Sequence, residues 1–247
     1  AGFTCKDAKE AGFTCKDAKA AWFTCKDAKE AGFDCWDARR AGFDCWDARR
    51  AGFTCEEARR AGFTCKDARA AGFTCKDARE AGFTCKDAKD AGMLWTCKDA
   101  KEAGFTCWDA KEAGFDCWDA RRAGFTCKDA REAGMLSTCK EAREAGFTCK
   151  DAKEAGLLST CKDAREAGFT CKDAKDADLL STCKDARAAG FKAGRECYEA
   201  GFTYEEGRAA GFPSLPLRYQ STDGQYYYLE PRHWRCCKSP SKNSNPG

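Results

Sequence analysis

Cysteine is the residue type in this chain with the most chemistry available to it: it can cross-link, hold a metal ion or act as a nucleophile. The 247 residues include 21 of them. Nineteen recur at intervals of ten or twelve residues, with one of fourteen at the end: Cys5, Cys15, Cys25, Cys35, Cys45, Cys55, Cys65, Cys75, Cys85, Cys97, Cys107, Cys117, Cys127, Cys139, Cys149, Cys161, Cys171, Cys183 and Cys197. Cys236 and Cys237 stand apart in the C-terminal tail. Density at this level usually marks a disulfide scaffold in an oxidising compartment, which favours an extracellular or cell-surface location. The other reading is a small buried hydrophobe in thiol form. A bridge needs Cα atoms ~4.4–6.8 Å apart. Cysteines opening successive helices are expected to be too far apart, and those two or three units apart meet only if Ala and Gly let the helices approach. Both readings stand on the sequence.

Metal binding is not expected and no cofactor motif is present. A structural ion needs about four converging ligands, whereas each repeat offers one cysteine and no C-x-x-C. His233 lies near Cys236 and Cys237, but vicinal cysteines suit one tetrahedral ion poorly. No carboxylate or carboxamide is placed to orient His233 as the base of a thiol nucleophile, so it reads as a surface or packing residue. No catalytic residue is assigned, and the chain is expected not to be an enzyme.

A second chemical feature is aromatic. Trp36, Trp46, Trp108 and Trp118 take the place that Lys holds in most copies. Three of these units end in arginine pairs, Arg39-Arg40, Arg49-Arg50 and Arg121-Arg122. Indoles beside guanidinium groups make a candidate contact site for a partner protein, a glycan or an anionic polymer. The simpler expectation, and the favoured one, is that the rings fill grooves between turns of the array or between neighbouring arrays.

The elements that must position these groups are legible in one unit, Ala71-Gly72-Phe73-Thr74-Cys75-Lys76-Asp77-Ala78-Arg79-Glu80. Thr74 is a preferred N-cap, and Asp77 three residues on completes a capping box with Asp in place of Glu. The spacing predicts a helix from Cys75 to Ala81, stopped by Gly82 in the left-handed conformation. Phe73 before the cap and Phe83 after the glycine both converge on Ala78, which leaves room only for a small side chain. Cys75, Ala78 and Ala81 share one face, and Lys76, Asp77 and Glu80 lie opposite. So short a helix is not stable alone in water. It must stack on neighbours, which is the logic of a solenoid.

Residues 1–90 are nine such units in unbroken phase. Trp22 breaks the rule by replacing the glycine, so its helix is expected to end differently or to gain a compensating contact. Four units, 91–102, 133–144, 155–166 and 177–188, carry two extra residues between the glycine position and the cap threonine. Long and short units alternate from 133 to 198, which suggests about two helices per turn. Gly194 and Gly207 weaken the last helices. Beyond Phe212-Pro213, two aromatic-rich runs flank Asp223-Gly224 and predict a β-hairpin that caps the array. The fold class expected is all-α: an α-solenoid of single short helices, one per 10- or 12-residue repeat. Residues 1–212 form the array, 213–238 the capping hairpin and 239–247 a disordered tail.

The consensus Ala-Gly-Phe-Thr-x-x-Asp-Ala-Lys/Arg-x resembles the decapeptide arrays with an Ala-Gly-Phe-Ser/Thr core found in long proteins of algae, other protists and some bacteria. The likeness covers roughly residues 1–212 and is specific at the Gly-Phe-Thr core. It implies a short-helix solenoid and no activity. In those arrays the position of Ala78 is more often Leu, and that of Cys75 is not generally Cys.

Composition narrows the functional classes. Charged residues make up 34% of the chain and mean hydropathy is -0.68; no apolar run approaches the ~20 residues of a membrane span. The net charge of +3 resides in residues 213–247, which leaves the array neutral. A neutral surface of interleaved sign disfavours nucleic acid and matches copies of itself. The chain starts in repeat phase at Ala1 and reads as a piece of a longer or processed protein. The function expected is therefore a non-enzymatic structural repeat protein, a rod, filament or scaffold component that self-assembles end to end or laterally, with cysteine cross-links. The alternative is a solenoid binding module that recognises a protein or glycan through its Trp/Arg repeats.

Overall fold

The computed structural model describes residues 2–212, together with the backbone of 217–220 and 226–229. Those residues form twenty six-residue α-helices and two short strands. They divide into two compact units, Ala1–Leu136 and Ser137–Gly247. The first holds α1 (Cys5–Glu10), α2 (Cys15–Ala20), α3 (Cys25–Glu30), α4 (Cys35–Arg40), α5 (Cys45–Arg50), α6 (Cys55–Arg60), α7 (Cys65–Ala70), α8 (Cys75–Glu80), α9 (Cys85–Asp90), α10 (Cys97–Glu102), α11 (Cys107–Glu112), α12 (Cys117–Arg122) and α13 (Cys127–Glu132). The second holds α14 (Cys139–Glu144), α15 (Cys149–Glu154), α16 (Cys161–Glu166), α17 (Cys171–Asp176), α18 (Cys183–Ala188), α19 (Gly194–Glu199) and α20 (Tyr204–Ala209). It also contains β1 (Leu217–Gln220) and β2 (Tyr226–Leu229), which pair antiparallel with Leu217 opposite Leu229. The expected turn at Asp223-Gly224, the residues His233, Cys236 and Cys237, and the tail 239–247 lie outside the described residues.

Each helix is specified by its own ends. At α8, Thr74 Oγ1 accepts from the Asp77 amide at 3.1 Å, and the Asp77 carboxylate accepts from the Thr74 amide at 2.7 Å. Nineteen of the twenty helices carry this reciprocal box, and Asp replaces Thr as the cap in α4, α5 and α12. The exception is α19, whose cap position is Ala193. At the other end, Phe83 donates to the Ala78 carbonyl at 3.0 Å and Gly82 to the Arg79 carbonyl at 2.8 Å. That is a Schellman ending, with Gly82 at φ 86°. The helix thus stops at Glu80, one residue before the expected Ala81, because Ala81 serves as the C-cap.

Trp22 corrects an expectation. It adopts φ 67° and donates to the Lys19 carbonyl as the glycines do at their sites, while Phe23 donates to the Ala18 carbonyl, so α2 does not end differently. Its ring is 93% exposed, so packing does not offset the strain. Asp178 takes the same conformation at φ 53°.

The long units keep the helix and extend the turn. Met93, Met135, Leu157 and Leu179 make the backbone bond that Phe makes elsewhere, and the next residue, Leu94, Leu136, Leu158 or Leu180, is buried. The added residue also donates its amide to the helix's capping carboxylate, as Trp95 does to Asp99 at 3.0 Å.

Stacking supplies what a six-residue helix lacks. Within the first unit most helices pack on the next one and, for most of the array, on the helix two places along: α1 on α3 and so on to α7 on α9, then α9 on α11 to α11 on α13. The second unit repeats this from α14 on α16 to α18 on α20. The core is the file of central alanines, of which Ala78 and most others have no accessible surface, with the cysteines and phenylalanines beside them. Phe3 and Phe13 have no unit two places before them in this sequence, and they remain 64% and 52% exposed, whereas Phe33 is 8% exposed.

Candidate functional site

The cysteines sit at the first helical position, pointed into the core by the helix period, and seventeen of the nineteen described are buried. All nineteen are free thiols in this structure, and their burial is what the buried-thiol reading expects. Among the described residues no bridge joins the cysteines of successive helices, as expected from their spacing. The thiols that feel one another electrostatically are those of adjoining helices: Cys35 with Cys25 and Cys45, Cys65 with Cys55 and Cys75, Cys149 with Cys139 and Cys161. One departure from this pattern is at the end of the array, where Cys197 influences Cys171 as well as Cys183. Cys197 stands mid-helix in α19 instead of at its start.

Burial, not charge, dominates the chemistry of these thiols. Desolvation, reinforced by neighbouring carboxylates and thiols, pushes Cys25, Cys45 and Cys85 up to about 12 from 9.0. A thiol so raised is protonated at neutral pH and is a poor nucleophile. Among the described residues no three His, Cys, Asp or Glu side chains converge to hold a metal ion.

The tryptophans occupy exposed positions, as the sequence places them. Trp36, Trp46 and Trp118 are each 48% exposed and Trp108 is 56% exposed. Their rings are covered mainly from within their own helix: Arg40 stacks on Trp36 at 4.4 Å, Arg50 on Trp46 at 4.5 Å and Arg122 on Trp118 at 4.5 Å. Trp108 has Glu112 at the equivalent place. Rings that stay about half exposed are not the core of an inter-turn contact within this chain.

The two arginines of a pair do different work. Arg40, Arg50 and Arg122 stack on tryptophan, whereas Arg39 and Arg49 reach across to the C-terminus of the helix two places along. Arg39 donates to the Ala61 carbonyl and Arg49 to the Ala71 carbonyl, each at 3.1 Å. Their guanidinium groups also lie over Phe63 and Phe73 at 5.4 and 5.3 Å. Lysine does the same elsewhere: Lys89 donates to the Ala113 carbonyl at 2.8 Å and sits 4.0 Å over Phe115, and Lys9 donates to the Gly32 carbonyl. In the second unit Lys175 reaches the Ala200 carbonyl at 2.9 Å and Phe202 at 3.9 Å. Each such cation places its charge on the carbonyl end of a foreign helix, where the dipole favours it. This link spans 22 to 25 residues, so reading a single unit misses it. The one sequence signal is the invariance of a basic residue at that place in the array's regular units.

Trp95 is also missed by repeat reading. It is 78% exposed, while the other long units carry Ser there. It walls a groove of about 400 Å³ between α10 and α12 that is lined by Lys89, Lys98, Phe115, Asp119 and Arg122. Similar grooves open at Lys16, Asp37 and Arg40, and at Glu56, Asp77 and Glu80. Among the described residues, no helix is long and apolar enough to cross a membrane.

A family model described as "Decapeptide repeat region" matches residues 1–63, 32–95, 94–160 and 137–214. No curated protein and no solved structure matches the chain.

Proposed function

Because the chain belongs to the decapeptide repeat region family, with units built on one common plan of cap, helix and turn, we propose that it is a non-enzymatic structural repeat protein. It would serve as a scaffold or filament component that associates with copies of itself. The observation that carries this reading is the cation link from one helix to the C-terminus of the helix two places along, made by Arg39, Arg49, Lys89 and Lys175 alike. A surface whose main interaction is with the next copy of the same unit is suited to stacking. Its charge neutrality adds no long-range repulsion between copies.

In this reading the helices wind as a solenoid of about two per turn, and the β1–β2 pair caps its C-terminal end. Burial of the thiols favours a reduced sulfur core over a cross-linked one. Intact-mass measurement after alkylation, with and without reductant under denaturing conditions, tests that part. Full labelling without reductant is expected, and a chain that labels only after reduction overturns it. Self-association is tested by electron microscopy and sedimentation of the native chain over a concentration series. Growing assemblies are expected, and short single particles at every concentration overturn the proposal.

A second reading, a binding module, is favoured by one observation: the Trp36, Trp46 and Trp118 stacks stay half exposed, with pre-organised arginines beside them. Tryptophan and arginine dominate binding hot spots. Replacing all three tryptophans by Lys, the residue of most other copies, leaves the fold intact and abolishes binding to an acidic-glycan panel if this reading holds. Unchanged binding rules these residues out.

A further inference from the structure

Only two methionines occur in the chain, and both touch a cysteine. Cys65 Sγ donates to Met93 Sδ at 3.4 Å, and Cys107 Sγ donates to Met135 Sδ at 3.6 Å. The two pairs are equivalent: each spans 28 residues and links the first residue of one helix to the residue following the left-handed glycine two helices along, α7 to α9 and α11 to α13.

Packing alone does not call for the sulfur. Leu157 and Leu179 hold the same place in the long units of the second half, are partly buried as Met93 and Met135 are, and make the same backbone bond to the central alanine at 2.9 Å, against 2.8 and 2.9 Å for the methionines. Leucine thus satisfies the turn. Methionine adds a soft donor where a buried thiol faces it.

We propose that Cys65–Met93 and Cys107–Met135 are two equivalent sites for a soft monovalent metal ion, Cu(I) or Ag(I). A thiolate and a thioether are the donor set that selects such ions over zinc or calcium. Two sulfurs suffice for a low-coordinate soft ion, so neither site needs the three-residue convergence of a zinc centre. Bonds of about 2.3 Å put the two sulfurs roughly 4–4.6 Å apart, from a bent to a linear arrangement, and a thioether on three rotatable bonds absorbs that opening. Cys65 and Cys107 are buried, whereas Met93 and Met135 reach solvent. The methionine is therefore the side from which an ion enters. Binding exchanges the thiol proton for the metal: one S–H bond breaks, one S–metal bond forms, a proton leaves to solvent, the thioether donates a lone pair and no electron is transferred.

The test uses the full chain carrying ¹³C-methyl methionine, titrated anaerobically with Ag(I) in the presence of a competing small monothiol that outbids isolated cysteines. Both methionine methyl signals are expected to move to new positions and to saturate at two ions per chain. Methyl signals that stay in place while silver binds elsewhere overturn the proposal. In a second arm, Met93→Leu with Met135→Leu keeps native helicity, since leucine is tolerated at residues 157 and 179, and loses at least tenfold in affinity for those two ions. Undiminished binding by that variant overturns the proposal as well. If the variant does not fold, the methyl titration of the native chain decides alone.

Discussion

Ala78 has no accessible surface, and its backbone carbonyl receives the Phe83 amide. Enlarging it drives a side chain into a closed seam, so Ala78→Leu is expected to cost about 1–3 kcal/mol in urea unfolding. Leucine that is accepted at no cost would mean the helices separate more easily than the buried alanine file suggests. Trp22 tests the opposite direction. A non-glycine residue in the left-handed region costs about 1–2 kcal/mol, and this ring is nearly all in solvent; Trp22→Gly should therefore raise the midpoint of thermal unfolding, and a lowered midpoint would reveal a contact for the indole. The thiols set a pH limit. Their folded values are raised, from 9.0 to about 12 for Cys85, so the folded state holds a proton that the unfolded state releases. Their contribution is complete below pH 9 and is lost as pH rises from 9 towards 12. Helicity followed by circular dichroism should hold at pH 8 and collapse within that window; helicity that survives to pH 12 would contradict the burial. At this scale the sequence was readable where the signal is local. Thr74, Asp77 and Gly82 act within a few residues of themselves, so their roles follow from type and spacing. Whether the cysteines are buried did not follow from one unit, because burial depends on the helices that stack on it.

The helix boundaries were readable for the same reason, since each element carries its own start and stop. What joins the elements was not. The reach of Arg49 to the Ala71 carbonyl crosses 22 residues, and within one unit that arginine looks like an ordinary last-turn cation. Arg49→Gln removes the donor at the end of α7 and uncovers Phe73. A hydrogen bond from a charged group contributes about 1.5–3 kcal/mol, so amide exchange at Gly72 and Phe73 should quicken tenfold or more while α12 is unaffected. Equal rates in the variant and the native chain would show the link to be decoration. The exposed ion pairs along helix faces, such as Lys76–Glu80 at 3.9 Å, are expected to matter far less, since both partners are in water. Trp95 belongs to the same lesson: a turn of fixed length accepts Ser at three long units, so only the burial of the neighbours shows that its ring has no structural duty.

At the largest scale, each compact unit is built from one recurrent helix that contacts only its near neighbours in sequence. Its stability is the sum of weak unit terms and stronger neighbour terms. Phe3, Phe13 and Phe33 display that dependence, since the ring becomes buried only where a unit stands two places before it. Repetition and cap chemistry were enough to read the array of short helices. They were not enough to distinguish units, because the distinguishing groups, Trp95 and the two methionines, are single substitutions on a common frame. The central claim is that a decapeptide becomes a helix only when units two places away stack on it. Circular dichroism of chains made of one, two, three, five and nine copies of the Ala71–Glu80 unit tests this directly. Negligible helicity is expected for one and two copies, with a sharp cooperative rise once three or more are joined; helicity per residue already complete in the single decapeptide, or still absent at nine copies, would contradict it.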